Sequence, residues 1–232
     1  MEKVNKAIIM AAGLGNRLSP VTNNTPKPMV KVNGVRMIDT IIDALHENGI
    51  TEIHIVVGYL KEQFEKLNDK YNGLDFIINP YFEKYNNTSS LYVAKDYISN
   101  AFIIDGDKAV KNSKIFHHEF EKSGYCVAWS EATNEWLMQV ENDTVLSCSR
   151  VGGVNGWQLY ADCQCGPKTT VKNLKSLLPK NLKKAMWIFT GMMSQCLNTL
   201  KILIWAFVKL IMAILWKLIV LKNWRLLIKA ML

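Results

Sequence analysis

The sequence predicts an α/β fold, a doubly wound and mostly parallel sheet, over residues 1–160. Three observations lead there. Short apolar runs of strand length alternate with segments whose apolar residues recur at helical spacing. Each apolar run ends abruptly in turn-forming residues: Ala12-Gly13, Gly58-Tyr59, Asn79-Pro80 and Asp105-Gly106-Asp107. In sheets of this kind ligands bind beyond the carboxyl ends of the strands, and the polar and charged residues of this chain gather at those ends.

The elements follow in order. Ile8 to Ala11 reads as the first strand. Ile38, Ile41, Ile42 and Leu45 mark a helix over Met37 to Asn48, which Gly49 terminates. Ile53 to Val57 is the second strand, stopped by Gly58. Leu60, Phe64 and Leu67 indicate a short amphipathic helix. Phe76 to Ile78 is the third strand, a helix is expected over Ser90 to Tyr97, and Ala101 to Ile104 is the fourth strand.

The densest chemistry lies between Lys6 and Val30. The first strand passes into Ala11-Ala12-Gly13-Leu14-Gly15, with Arg17 close behind and Lys27 between two prolines. Small residues let backbone N–H groups approach a phosphate, and two fixed cations can neutralise it. A nucleoside-triphosphate site is the reading these residues support together. The glycines alone are equally those of an ordinary strand-to-helix turn. They lack the third glycine of a dinucleotide fingerprint and the Gly-Lys-Ser/Thr of a P-loop.

The whole string is more specific. Gly13-Leu-Gly15-Asn-Arg17-Leu18-Ser-Pro20-Val-Thr22 followed by Pro26-Lys27-Pro28-Met29 resembles the nucleotidyltransferases that activate sugar phosphates and alcohol phosphates. Val57 to Phe64, Tyr85 to Tyr92 and Thr133-Asn134-Glu135-Trp136 resemble one branch of these enzymes, the bacterial CTP:phosphocholine cytidylyltransferases. The resemblance spans roughly residues 6–160. It implies a Rossmann-like sheet of the nucleotide-diphospho-sugar transferase type.

It also implies roles. CMP would pass from CTP to phosphocholine, or to another small phosphorylated alcohol or sugar, releasing pyrophosphate. Arg17 would hold the pyrophosphate through its planar fork, and Lys27 would sit near the α-phosphate as a point charge. Asp107, just past a buried strand, would bind Mg2+, with Asp105 in support. Ala11, Ala12, Gly13, Gly15 and Gly58 would meet the nucleotide through backbone, and Asn87 and Ser90 through polar side chains. A quaternary ammonium calls for an aromatic face and a carboxylate, here Trp136 with Glu131 or Glu135. A sugar-1-phosphate nucleotidyltransferase using UTP or dTTP is the alternative within the same chemistry. His117-His118 has no ligand partner at helical spacing and reads as a surface pair. No nucleic-acid partner is expected.

Composition divides the chain. Five cysteines include no C-x-x-C pair, so no zinc or redox motif is implied. The apolar run near the N-terminus is too short for a secretory signal, and a cytoplasmic location is the default expectation. Residues 1–162 contain all 20 acidic residues and carry a net charge of −4, whereas residues 163–232 contain 12 Lys+Arg and no Asp or Glu. A separate, atypical tail is therefore expected from residue 161.

Three readings of that tail compete. Its apolar runs Ile202–Val208 and Leu210–Trp216 are interrupted by lysine and are far short of the ~20 residues of a membrane span. As a surface helix its lysines drift round the wheel, which leaves a poor amphipathic face for a peripheral membrane-binding protein. A reading-frame change near residue 161 accounts for more. Shifted by two bases, codons for Trp187-Ile-Phe-Thr-Gly-Met-Met permit Asp-Ile-Tyr-Trp-Asp-Asp, which resembles the family's second metal-binding segment. On this reading the tail was never selected to fold, membrane contact by it is not expected, and activity is impaired.

Overall fold

The computed structural model describes residues 2–165, apart from 86, 117–118, 121–123 and 143. Of the atypical tail expected from residue 161, residues 166–232 lie outside the described residues, as does the His117-His118 pair. The fold is an eight-stranded sheet. Its strands are β1 (Lys6–Ala11), β2 (Glu52–Val57), β3 (Leu74–Ile78), β4 (Ala101–Asp105), β5 (Gly124–Thr133), β6 (Leu137–Glu141), β7 (Thr144–Ser149) and β8 (Gly153–Cys165). The spatial order is β7-β6-β8-β4-β1-β2-β3, with β5 also paired to β8. Helices α1 (Met37–Glu47) and α2 (Asn87–Val93) cover its faces.

The four strands expected from the sequence form the parallel centre. β1 lies between β2 and β4, and β2 pairs in turn with β3, all in parallel. Alternate residues of β1 serve opposite faces. Ala7, Ile9 and Ala11 pack with Ile38, Ile41, Ile42 and Leu45 of α1 on one side. Ile8 and Met10 pack with Leu91, Ala94 and Ile98, in and after α2, on the other. Both faces are thus covered, which is why these strands read as unbroken apolar runs. The four α1 side chains are fully buried, each contributing roughly 1.5–3 kcal/mol relative to exposure. Gly49, at φ 73°, ends this helix in the left-handed region.

Two local expectations are corrected. The amphipathic segment after β2 is a 3-10 helix, Lys61–Leu67. Phe64 and Leu67 are both fully buried, and an i, i+3 pair lines up on one side of a 3-10 turn as well as of an α-helix. The helix expected over Ser90 to Tyr97 instead spans Asn87–Val93. The buried Asn79 side chain donates to the hydroxyls of Ser89 (2.9 Å) and Ser90 (3.2 Å), fixing the first turn of α2. After Val93 the chain tightens into turns such as Tyr97 N–H to Ala94 C=O, 2.9 Å.

The antiparallel flank has no counterpart in the expected strands. β8 is long, pairing with β5 along most of its length, with β6 at Trp157 and Gln158, and with β4 at Gln164 and Cys165. The strand continues past residue 160, although its register with β5 shifts between Leu159 and Ala161.

Candidate active site

Register and strand order determine where the site forms. Met10 lies level with Asp105 on one neighbouring strand and with Val56 on the other, so β1, β2 and β4 all end at one edge. The chain proceeds outward from β1 to β2 and β3, then returns to β4 on the far side of β1. The gap between β1 and β4 is therefore a topological switch point, where a cleft forms in open α/β sheets. A cavity of about 770 Å³ lies there.

The loop after β1 forms one wall. Gly15 has φ 70°, and a Cβ on it would stand 3.0 Å from the Thr22 methyl carbon and 3.2 Å from Cβ of Lys27. Two requirements coincide at this glycine, a left-handed backbone and a close approach. The Thr22 hydroxyl donates to the Gly15 carbonyl at 2.9 Å, closing the loop on itself. From outside, the Tyr59 hydroxyl donates to the Asn23 carbonyl and the Gln63 side-chain amide to the Asn24 carbonyl, both at 2.8 Å. The loop is held at both ends, and Gly13, Gly15, Asn16 and Arg17 line the cavity. Arg17 is exposed at its rim.

Lys27 and Asp107 form the floor. Lys27 begins a 3-10 turn, Lys27–Met29, whose Pro28 and Met29 are buried. This burial anchors the turn and leaves the lysine to face the cavity. Gly106 lets the chain after β4 lie flat on the end of β1: its N–H donates to the Met10 carbonyl at 2.9 Å. A Cβ there would come within 3.1 Å of the same oxygen. The next residue, Asp107, accepts a hydrogen bond from the Lys27 ammonium, forming an ion pair across 80 residues of sequence. Asp105, also in the lining, accepts from the Asn87 side-chain amide at 3.0 Å.

The third wall comes from the antiparallel flank. Glu135, Trp136, Gln158 and Leu159 line it, and the Leu159 N–H donates to the Trp136 carbonyl at 2.9 Å. The Arg150 guanidinium lies over the Trp136 ring, 5.1 Å from its centroid, so this indole already has a cation on one face.

Of the residues singled out in the sequence, Ala11, Gly13, Gly15, Arg17, Lys27, Asn87, Asp107, Glu135 and Trp136 line this one cavity. Ala12 and Ser90 are buried beside it and do not line it. Gly58 does not line it either; a Cβ on this glycine would stand 2.8 Å from the Phe82 ring and 2.9 Å from the Ala12 carbonyl. Glu131 is exposed on β5, away from the cavity lining. Lining residues the sequence did not single out are Met10, Asn16, Pro28, Lys108, Gln158 and Leu159. Lys108 was signalled only by adjacency to Asp107. Gln158 and Leu159 arrive through the β6–β8 pairing and carry no local signal.

Among the described residues no three His, Cys, Asp or Glu side chains gather as a metal cluster. Among them, too, no helix is long and apolar enough to cross a membrane. The carboxylates of the cavity, Asp105, Asp107 and Glu135, with room for phosphates beside them, fit Mg2+, which is usually bound by one or two carboxylates plus substrate oxygens and water.

The nucleotidyl transferase family model matches residues 6–122. The chain belongs to this family. Over 139 residues it is 44% identical to the choline-phosphate cytidylyltransferase of Streptococcus pneumoniae, covering 60% of each protein. Over 144 residues it is 41% identical to the 2-aminoethylphosphonate cytidylyltransferase of Lancefieldella rimae, covering 61% of this chain and 58% of that protein. The chain thus aligns with less than two thirds of the length of either relative. Among solved structures, the CTP:phosphocholine cytidylyltransferase of Streptococcus pneumoniae superposes with a TM-score of 0.70 at 37% identity, covering 80% of this chain and 78% of that one. The inositol-1-phosphate CTP transferase of T. maritima, at 21% identity and a TM-score of 0.59, shares the fold. As in other nucleotidyl transferase family members, the sheet belongs to the nucleotide-diphospho-sugar transferase type.

Proposed function

We propose that this chain is a cytidylyltransferase that transfers CMP from CTP to a small phosphorylated alcohol, with phosphocholine as the preferred acceptor. The observation that supports this best is the single cavity that brings together the Gly13–Arg17 loop, Lys27 and Asp107 at the switch point of the sheet. An acceptor phosphate oxygen attacks the α-phosphorus of CTP, a new P–O bond forms, and the bond to the β-phosphate oxygen breaks, releasing pyrophosphate. Little covalent work falls to the protein, and positioning with charge neutralisation dominates.

Arg17 binds the departing pyrophosphate at the rim. Lys27 neutralises charge on the α-phosphate. Backbone of the Gly13–Gly15 loop meets the nucleotide. Asp107 would hold Mg2+, which would supply positive charge to neutralise the phosphates. Trp136 offers an aromatic face to the ammonium head group, with Glu135 as the nearby carboxylate. The relatives named for choline phosphate and for 2-aminoethylphosphonate favour an acceptor that pairs a cationic nitrogen with a phosphorus group.

Residues 163–232 contain no acidic side chain, so this segment cannot provide a second metal-binding carboxylate, and slow or absent turnover is expected. The test has two parts. Calorimetry with CTP and Mg2+ is expected to show binding, and a chain that binds no CTP overturns the assignment. Formation of CDP-choline from CTP and phosphocholine is expected to be weak. Full turnover would overturn the impairment and the frame change that explains it, and encoding DNA whose other frames lack the family's C-terminal segment would remove that explanation too.

A further inference from the structure

Three cations line the cavity, Arg17, Lys27 and Lys108, together with three carboxylates, Asp105, Asp107 and Glu135. Their formal charges cancel. A triphosphate and a phosphomonoester bring several negative charges into this space, so which cations are free to meet them matters. Lys27 is already paired with Asp107. Lys108 makes no hydrogen bond or ion pair with the described residues, although it is half-buried beside that pair.

Its backbone, by contrast, is fixed on both sides. Two residues earlier the Gly106 N–H is bonded to the Met10 carbonyl at 2.9 Å. Two residues later the Val110 N–H is bonded to the Thr40 hydroxyl at 2.9 Å, and that hydroxyl donates to the Met37 carbonyl in the first turn of α1. Lys108 is thus held through its neighbouring backbone on the wall of the cavity, with no counter-ion among the described residues. A cavity-lining ammonium without a counter-ion among the described residues gains from a phosphate oxygen supplied by a ligand.

We infer that Lys108 is a phosphate-binding residue of the site, a third cation beyond Arg17 and Lys27, contacting a phosphate that a substrate brings into the cavity. This rests on the cavity being the substrate site proposed above. Two sources share the chemistry, the polyphosphate tail of the nucleotide and the phosphomonoester of the acceptor.

The test is calorimetry on the full chain and on Lys108→Ala, Lys108→Gln and Lys108→Arg, with pyrophosphate, CTP plus Mg2+, and phosphocholine as separate ligands. Choline serves as the cation without a phosphate. Removing the ammonium is expected to weaken one phosphate ligand about tenfold, the scale of one charge-assisted hydrogen bond. Arginine should restore most of that loss, choline binding should not change, and the salt dependence of the affected ligand should flatten. Loss confined to pyrophosphate and CTP assigns Lys108 to the nucleotide tail, and loss confined to phosphocholine assigns it to the acceptor. If the unaltered chain binds these ligands and neither Lys108→Ala nor Lys108→Gln changes any affinity by more than about twofold, with melting temperatures unchanged, the inference is overturned alone. A chain that binds no phosphate ligand overturns the proposed function together with it.

Discussion

The ion pair between Lys27 and Asp107 sets a condition on nucleotide binding that can be measured. Both side chains are partly accessible, at 22% and 29%. A charge-assisted hydrogen bond of this kind is worth about 1.5–3 kcal/mol when well shielded and less when exposed. About 1.5 kcal/mol suits this setting, roughly a factor of ten in affinity. A triphosphate that engages Lys27 without a metal must break the pair and then face the bare Asp107 carboxylate. Replacing Asp107 by asparagine removes both penalties. The expected outcome for Asp107→Asn is CTP binding in EDTA about tenfold tighter than for the unaltered chain. The strengthening that Mg2+ gives the unaltered chain should largely disappear. Calorimetry with and without Mg2+ measures both, and the double variant Lys27→Ala/Asp107→Asn should lose the gain. Metal-free CTP affinity that stays the same or falls in a folded Asp107→Asn chain would refute the reasoning.

Three further outcomes follow from the geometry. Arg150→Ala should tighten phosphocholine relative to glycerol phosphate several-fold, because like charges about 8 Å apart across the Trp136 ring repel by about 1 kcal/mol at an effective dielectric of about 40; equal changes for both ligands would show that Arg150 only positions the indole. Gly58→Ala places a Cβ 2.8 Å from the Phe82 ring and 2.9 Å from the Ala12 carbonyl, so a loss of about 1–3 kcal/mol is expected, read as a melting temperature lower by about 2–4 °C per kcal/mol; an unchanged melting curve would contradict the close packing. Burial opposes ionisation of Glu52, but the hydrogen bond to His54 and the charge of Lys6 outweigh it and hold its carboxyl below the ordinary value of 4.5. The stability this gives is therefore fully present above pH 4.5 and is lost as pH falls through the depressed folded value. Glu52→Gln should thus destabilise at neutral pH and match the unaltered chain in strong acid, and a destabilisation independent of pH would exclude this cause.

How far the chain could be read depended on whether a signal was local. The four central strands are buried on both faces, so each appears as an apolar run with a punctuating turn, and their order with the intervening helix spacing gives the parallel sheet. The glycine loop, Arg17, Lys27 and Asp107 were legible because they are short-range motifs at strand ends. The 3-10 geometry over Lys61–Leu67 was not, since Phe64 and Leu67 are spaced alike in both helix types. The start of α2 was not either, since it depends on Asn79 reaching Ser89 and Ser90. The antiparallel flank escaped because β5 to β8 are half-exposed, with Trp129 and Val154 facing outward, and their pattern is weak without knowledge of their partners.

By itself, then, the sequence determined the fold class and the identity of the charged groups, because backbone propensity and apolar spacing act over a few residues. Only the tertiary structure decided that Lys27 and Asp107 neutralise each other, that Trp136 already bears a guanidinium, and that Lys108 lines the same cavity with no partner among the described residues. Those facts depend on side chains brought together by strand register and by Gly106 lying against Met10, and distances of that kind are set by long-range packing, which no stretch of sequence encodes locally.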